Sequence, residues 1–145
     1  MMISIGSDHR GFDLKTKIIQ GFDLAESVSV EWLDVGTYSE QRVDYPIFAK
    51  KVCKNILDGK TDLGVLICGS GIGMAIAANR FKNIYAAPCW NKDIARLARQ
   101  DDGANIITLP ANFISEQEAF NIIAAWLEAK FKGAEYQRRL EMVDK

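Results

Sequence analysis

The chain is predicted to be an α/β protein: one Rossmann-like three-layer domain, residues 1–145, with a five-stranded parallel sheet covered by helices on both faces. Three observations lead there. Short apolar strands alternate with amphipathic helical stretches five times over. The run Leu63 to Cys68 is apolar at nearly every position, as in a strand buried on both faces. With 48% apolar residues in 145 and no linker or repeat, the chain has enough material for one core.

Taken in order, Met2 to Ser7 is a strand, and Asp8, His9, Arg10 and Gly11 follow before Leu14, Ile18 and Ile19 mark a helix. Val28 to Val35 is a second strand, and Gly36 to Asp44 a polar loop. Tyr45-Pro46 opens the next helix, because proline suits a first turn; its apolar face is Ile47, Phe48, Val52, Ile56 and Leu57, it stops near Gly59, and Cys53 adjoins that face. Leu63 to Cys68 is the third strand, Gly69 to Gly73 a glycine turn, and Met74 to Asn79 helical. A fourth strand, Ile84 to Ala87, leads to Pro88, Cys89 and a helix capped by Asn91 that ends at Asp101, Asp102 and Gly103. Asn105 to Leu109 is the fifth strand. Ser115 and Glu118 then form a capping box for a long helix broken by Gly133. The tail from Glu135 carries Tyr136, Leu140 and Val143 at i, i+4, i+7, a narrow stripe suited to docking on a partner subunit as readily as on its own domain.

Chemistry concentrates at the carboxyl ends of the first and third strands, where open α/β sheets bind ligands. Cys68 ends its strand beside glycines that let a ligand approach the main chain, with N–H groups free to hold an oxyanion. A thiol in such a place is a usable base or nucleophile, and the arrangement suits proton abstraction next to a carbonyl. The bland alternative is an inert cysteine above a tight turn. Two phosphate motifs are excluded: no Gly-Lys-Ser/Thr follows, and Met74 stands where a dinucleotide fingerprint needs glycine. His9 is the only histidine, which rules out a histidine-rich metal site. A formal charge of −1, from 18 basic and 19 acidic residues, gives no reason to expect nucleic acid or an anionic membrane. Three cysteines do not make a disulfide framework. With no long apolar span or signal pattern, the expectation is a soluble cytoplasmic protein.

Gly6-Ser7-Asp8-His9-Arg10-Gly11, Asp34-Val35-Gly36-Thr37, Asp44-Tyr45-Pro46, and Ile67 to Gly73 running on to Ile76-Ala77-Ala78-Asn79 resemble, in order and over nearly the full length, the ribose-5-phosphate isomerase B family, which includes the galactose-6-phosphate isomerase subunits. The resemblance implies a cofactor-free aldose-ketose isomerase of a small sugar phosphate, working through an enediolate in active sites between subunits. It implies a homodimer, with a tetramer or a heteromer with a related subunit as alternatives. By the same resemblance Cys68 is the base, Ser70 bonds the sugar, and Gly69, Gly71, Ile72 and Gly73 belong to the turn that holds the enediolate oxygen. Asp8 binds sugar hydroxyls and assists ring opening, His9 faces the phosphate, and Arg139 reaches the phosphate across the dimer.

The chain departs from the family at three places. Asp101 and Asp102 replace a ring-opening histidine and the asparagine after it. Asn112 and Glu135 stand where the family has phosphate-binding arginines. A carboxylate in place of a cation repels phosphate, so the resemblance leaves the sugar open. Arg10, Arg42 and Lys92 are candidates for replacement charge. The competing classes are a galactose-6-phosphate isomerase-like subunit, a non-catalytic sugar-phosphate binder, and a nucleotide-binding module that the glycine spacing disfavours.

Overall fold

The computed structural model describes residues 1–24 and 28–145. Strands β1 (Met2–Ser7), β2 (Glu31–Asp34), β3 (Leu63–Cys68), β4 (Ala86–Pro88) and β5 (Ile106–Pro110) alternate with helices α1 (Phe12–Gly21), α2 (Tyr45–Leu57), α3 (Ile72–Ala78), α4 (Lys92–Asp102) and α5 (Glu116–Glu128), and α6 (Glu135–Val143) follows. All pairings are parallel in the order β2-β1-β3-β5-β4, as the alternation predicts. β3 is central and buried throughout, which explains its unbroken apolar sequence.

Alternate residues of the strands feed two cores. On one face Ile3, Ile5, Ile67 and Leu109 meet Ile18 of α1 and Ile122 and Trp126 of α5. The Trp126 indole is fully buried, and its N–H donates to the Ala104 carbonyl at 2.9 Å. On the other face Leu66, Cys68 and Ile106 meet Phe48 and Val52 of α2 and Met74 of α3. Gly64 lets α2 come this close: a methyl group placed there would lie 2.5 Å from Val52 Cγ1.

Several boundaries differ from the sequence expectation. β2 starts at Glu31 rather than Val28, and α3 starts at Ile72 rather than Met74. β4 runs from Ala86 instead of Ile84 because the Asn105 side chain takes the Tyr85 N–H (2.8 Å) and donates to the Asn83 carbonyl (2.8 Å), holding the edge outside regular pairing. α5 stops at Glu128, short of Gly133. The following segment is drawn along α4 instead, with the Lys132 N–H on the Gln100 carbonyl (3.0 Å) and Lys132 Nζ on Asp101 (2.6 Å). α6 buries no residue fully; Leu140 rests near Gly103 at the end of its own α4, while Val143 is 71% exposed. No described helix is long and apolar enough to cross a membrane.

The order of strands sets the place of the site. From β1 the chain goes to β2 on one side and then to β3 on the other, so the β1 and β3 carboxyl ends border a crevice that no crossover covers.

Candidate active site

That crevice is a cleft of about 560 Å³, bordered by Asp8, His9 and Arg10 from the loop after β1 and by Cys68, Gly69 and Ser70 from the end of β3. Arg42 and Tyr45 from the loop leading into α2, with Asn112 and Phe113 after β5, complete it.

Cys68 is 5% exposed at the base of the cleft, and its Sγ accepts the Gly71 N–H at 3.2 Å. Gly71 has φ 74°, a left-handed conformation in which glycine carries no steric penalty, and its carbonyl accepts the Thr108 hydroxyl at 2.7 Å. The turn is therefore pinned from β5, and the sulfur has a fixed position. Ser70 Oγ accepts the Ile72 N–H at 3.2 Å. Gly71 and Ile72 thus spend their N–H groups inside the turn and do not line the cleft. Gly69, Ser70 and Gly73 do border it, and their N–H groups donate to no protein acceptor among the described residues.

Asp8 is 6% exposed, and its Oδ1 accepts two N–H groups, from Arg10 (2.9 Å) and Gly11 (3.0 Å). Its N–H donates to the Ile67 carbonyl at 3.1 Å, which ties this loop to the strand carrying Cys68. Oδ2 has no donor among the described residues. His9 Nδ1 accepts the Val43 N–H at 3.2 Å, so the ring carries its hydrogen on Nε2 and latches the Gly36 to Asp44 loop to the end of β1. The far end of that loop is held by Asp34, whose carboxylate receives both the Gly36 N–H (2.9 Å) and the buried Lys15 ammonium (2.7 Å). Tyr45 packs its ring against Gly73, where a methyl group would lie 2.9 Å from it.

The remaining sequence candidates lie elsewhere in this chain. Asp101 pairs with Lys132, and both it and Asp102 end α4 just before β5 begins, at the amino edge of the sheet. Arg139, on α6, stacks its guanidinium 5.2 Å from the centre of the Tyr136 ring. None of the three borders the cleft, and neither does Lys92. Arg10 and Arg42 do, so two of the three candidates for replacement charge are in place. Tyr45 and Phe113 were assigned no role from sequence; Tyr45 was marked by the Tyr-Pro helix start, whereas nothing local marks Phe113, a 76% exposed ring at the rim. Cys53 and Cys89 are fully buried, and burial pushes both thiols up to about 12, which makes them packing residues.

A family model described as Ribose/Galactose Isomerase matches residues 3–143. Ribose-5-phosphate isomerase B of Escherichia coli (strain K12) is 39% identical over 141 residues, 97% of this chain and 93% of that protein. Among solved structures, a ribose 5-phosphate isomerase from Thermotoga maritima superposes with TM-score 0.91 at 46% identity, covering 99% of this chain and 97% of that one. The ribose-5-phosphate isomerase B of Mycoplasma genitalium with bound ribulose-5-phosphate gives TM-score 0.88 at 36% identity, covering 98% and 93%. Likeness of this extent, with a cleft built on the same strand ends that carry the motifs, makes this chain a member of the ribose/galactose isomerase family and an aldose-ketose isomerase.

Proposed function

We propose that the chain interconverts ribose 5-phosphate and its ketose isomer, with Cys68 as the base. The observation that carries the assignment is the Cys68 sulfur at the base of a cleft, next to uncommitted N–H groups of Gly69, Ser70 and Gly73. In the forward step the Cys68 thiolate takes the proton from C2 of the open-chain aldose, and the C1 carbonyl electrons move to O1. The resulting enediolate is held by fixed N–H donors, which are worth several kcal/mol when charge develops against them. The thiol then returns the proton to C1 as the O2 hydroxyl proton passes to O1, leaving the ketose. Ser70 holds a sugar hydroxyl, Asp8 Oδ2 engages the ring hydroxyls, and His9 presents its Nε2 hydrogen to the phosphate end.

The working unit in this reading is a homodimer. Asp101, Asp102 and Arg139 lie at the opposite edge of the sheet from Cys68, so they serve a cleft only if it belongs to a second copy. Exposed Ile47, Ile72 and Ile76 offer an apolar surface for that copy. All three cysteines are free, which suits a reducing compartment and supports the expectation of a cytoplasmic enzyme.

A galactose-6-phosphate isomerase-like subunit is the second reading, favoured by Asp101, Asn112 and Glu135 standing where the family has a histidine and two arginines. The purified chain assayed alone against ribose 5-phosphate and galactose 6-phosphate separates the two. Cys68→Ser is expected to keep ligand binding and lose ~10²-fold or more in turnover, because a hydroxyl is a far weaker base. Full turnover by Cys68→Ser would remove Cys68 from the role.

A further inference from the structure

The loop after β1 places a cation at a definite point of the cleft. Both Asp8 Oδ1 bonds fall on this loop, one of them on the Arg10 N–H itself. Gly11 is pressed onto β3 so tightly that a methyl group there would lie 2.6 Å from the Ile67 carbonyl oxygen. The backbone that carries Arg10 therefore has one position. From it the side chain crosses over Gly69: its Cδ and Nη1 lie 3.0 and 3.3 Å from the point a Gly69 methyl would occupy. Asn112 Nδ2 lies 2.8 Å from the same point, and the Asn112 N–H is fixed on the Gly69 carbonyl at 3.0 Å. Arg10 and Asn112 thus flank Gly69, the residue after the reactive cysteine, and both border the cleft.

Arg10 is available for a ligand. Among the described residues it forms no ion pair, although Asp8 and Asp44 also border the cleft. Asp8 spends one oxygen on the two loop N–H groups. A guanidinium offers two parallel N–H donors to a phosphate, and an amide NH₂ beside it adds a third.

We infer that Arg10, with Asn112, binds the phosphate of the substrate: the arginine this chain lacks after β5 is supplied to the same point from the loop after β1. The inference rests on the isomerase reading of the cleft for the identity of the anion, but its geometry is independent of turnover. It also supplies from within the chain a cation that Glu135 withholds.

The test uses the purified full-length chain as wild type, Arg10→Gln, Arg10→Ala and Arg10→Ala with Asn112→Arg. Binding of inorganic phosphate is read by calorimetry, and kcat and KM by isomerisation of ribose 5-phosphate. Both single variants are expected to weaken phosphate binding ~10- to 100-fold and to raise KM by a similar factor with a smaller change in kcat, the scale of one charge-assisted contact. Asn112→Arg in the Arg10→Ala background is expected to recover most of that loss, because the two positions address one point. Unchanged phosphate affinity in both single variants overturns the inference. So does a loss in Arg10→Ala that Arg10→Gln does not share, since that would be lost packing over Gly69, and so does failure of Asn112→Arg to restore binding. Should the wild type bind phosphate through Arg10 yet leave ribose 5-phosphate unconverted, the ribose 5-phosphate reading fails and the assignment of Arg10 stands.

Discussion

Gly11, which ends the loop after β1, and Gly69, which borders the cleft, fail in different ways when a methyl group is added. At Gly11 the new atom meets the Ile67 main chain at 2.6 to 2.8 Å, and a strand backbone cannot step aside. Gly11→Ala is expected to lose about 1–3 kcal/mol by overpacking, and to lose rate as well because Asp8 and His9 ride on the displaced loop. At Gly69 the new atom meets the ends of Asn112 and Arg10, which can swing away. Gly69→Ala is therefore expected to keep nearly the wild-type urea midpoint while KM for a sugar phosphate rises by about tenfold or more. Unfolding curves run beside kinetics check the pair; equal destabilisation of both would disprove this account of the cleft floor. The buried thiols make a separate prediction. Cys53 and Cys89 are raised from their ordinary 9.0 to about 12 by burial, so the unfolded chain loses these protons first as pH rises. Their contribution is complete below pH 9.0 and is lost progressively toward about 12. The urea midpoint should fall across that window, and less steeply in Cys53→Ala with Cys89→Ala.

At the scale of elements, capping separates stability from chemistry. Ser115 Oγ accepts the Glu118 N–H at 3.1 Å and Glu118 returns a bond of 2.7 Å to the Ser115 N–H, closing the first turn of α5. Ser115→Ala is expected to cost about 1 kcal/mol with kcat unchanged, since neither residue borders the cleft. A matching fall in kcat would mean that α5 is coupled to the site. The capping box, Asn91 at the start of α4 and the proline of α2 were all legible in sequence because each is a contact between near neighbours. The ends that were misplaced, β4 at its start and α5 at its finish, are set by Asn105 bridging two strands and by Lys132 reaching α4, and these partners are distant in sequence.

For the whole molecule, the question is where the second half of the site comes from. If each cleft is completed by Arg139 of a second copy, two inactive variants should restore one another. Cys68→Ser mixed in equal amounts with Arg139→Ala and allowed to exchange is expected to recover about a quarter of wild-type activity, because half of the dimers are hybrids and each hybrid holds one intact site. No recovery after proven exchange would confine the site to a single chain. Light scattering should give twice 16.2 kDa; a mass of one chain at micromolar concentration would rule out the dimer independently.

What the sequence determined by itself was the architecture and the reactive edge. Apolar periodicity dictates which stretches are strands and which are helices, and the Cys68 to Gly73 turn and the Asp8-His9 pair follow directly from the strands they terminate. The expectation of a base at Cys68 came from its neighbours in the chain together with the family resemblance. Tertiary structure decided which loops meet. That Arg10 lies beside Asn112, that Tyr45 covers Gly73, and that Asp101 and Arg139 face away from their own cleft all depend on the strand order β2-β1-β3-β5-β4. Strand order reflects how the two cores pack as a whole, so local propensity carries no record of it. The Gly71 and Ile72 N–H groups show the same limit at close range: sequence supplied the glycine turn, but only the φ of 74° at Gly71 and the Thr108 bond from β5 turned those two donors inward and left their neighbours without a protein acceptor among the described residues.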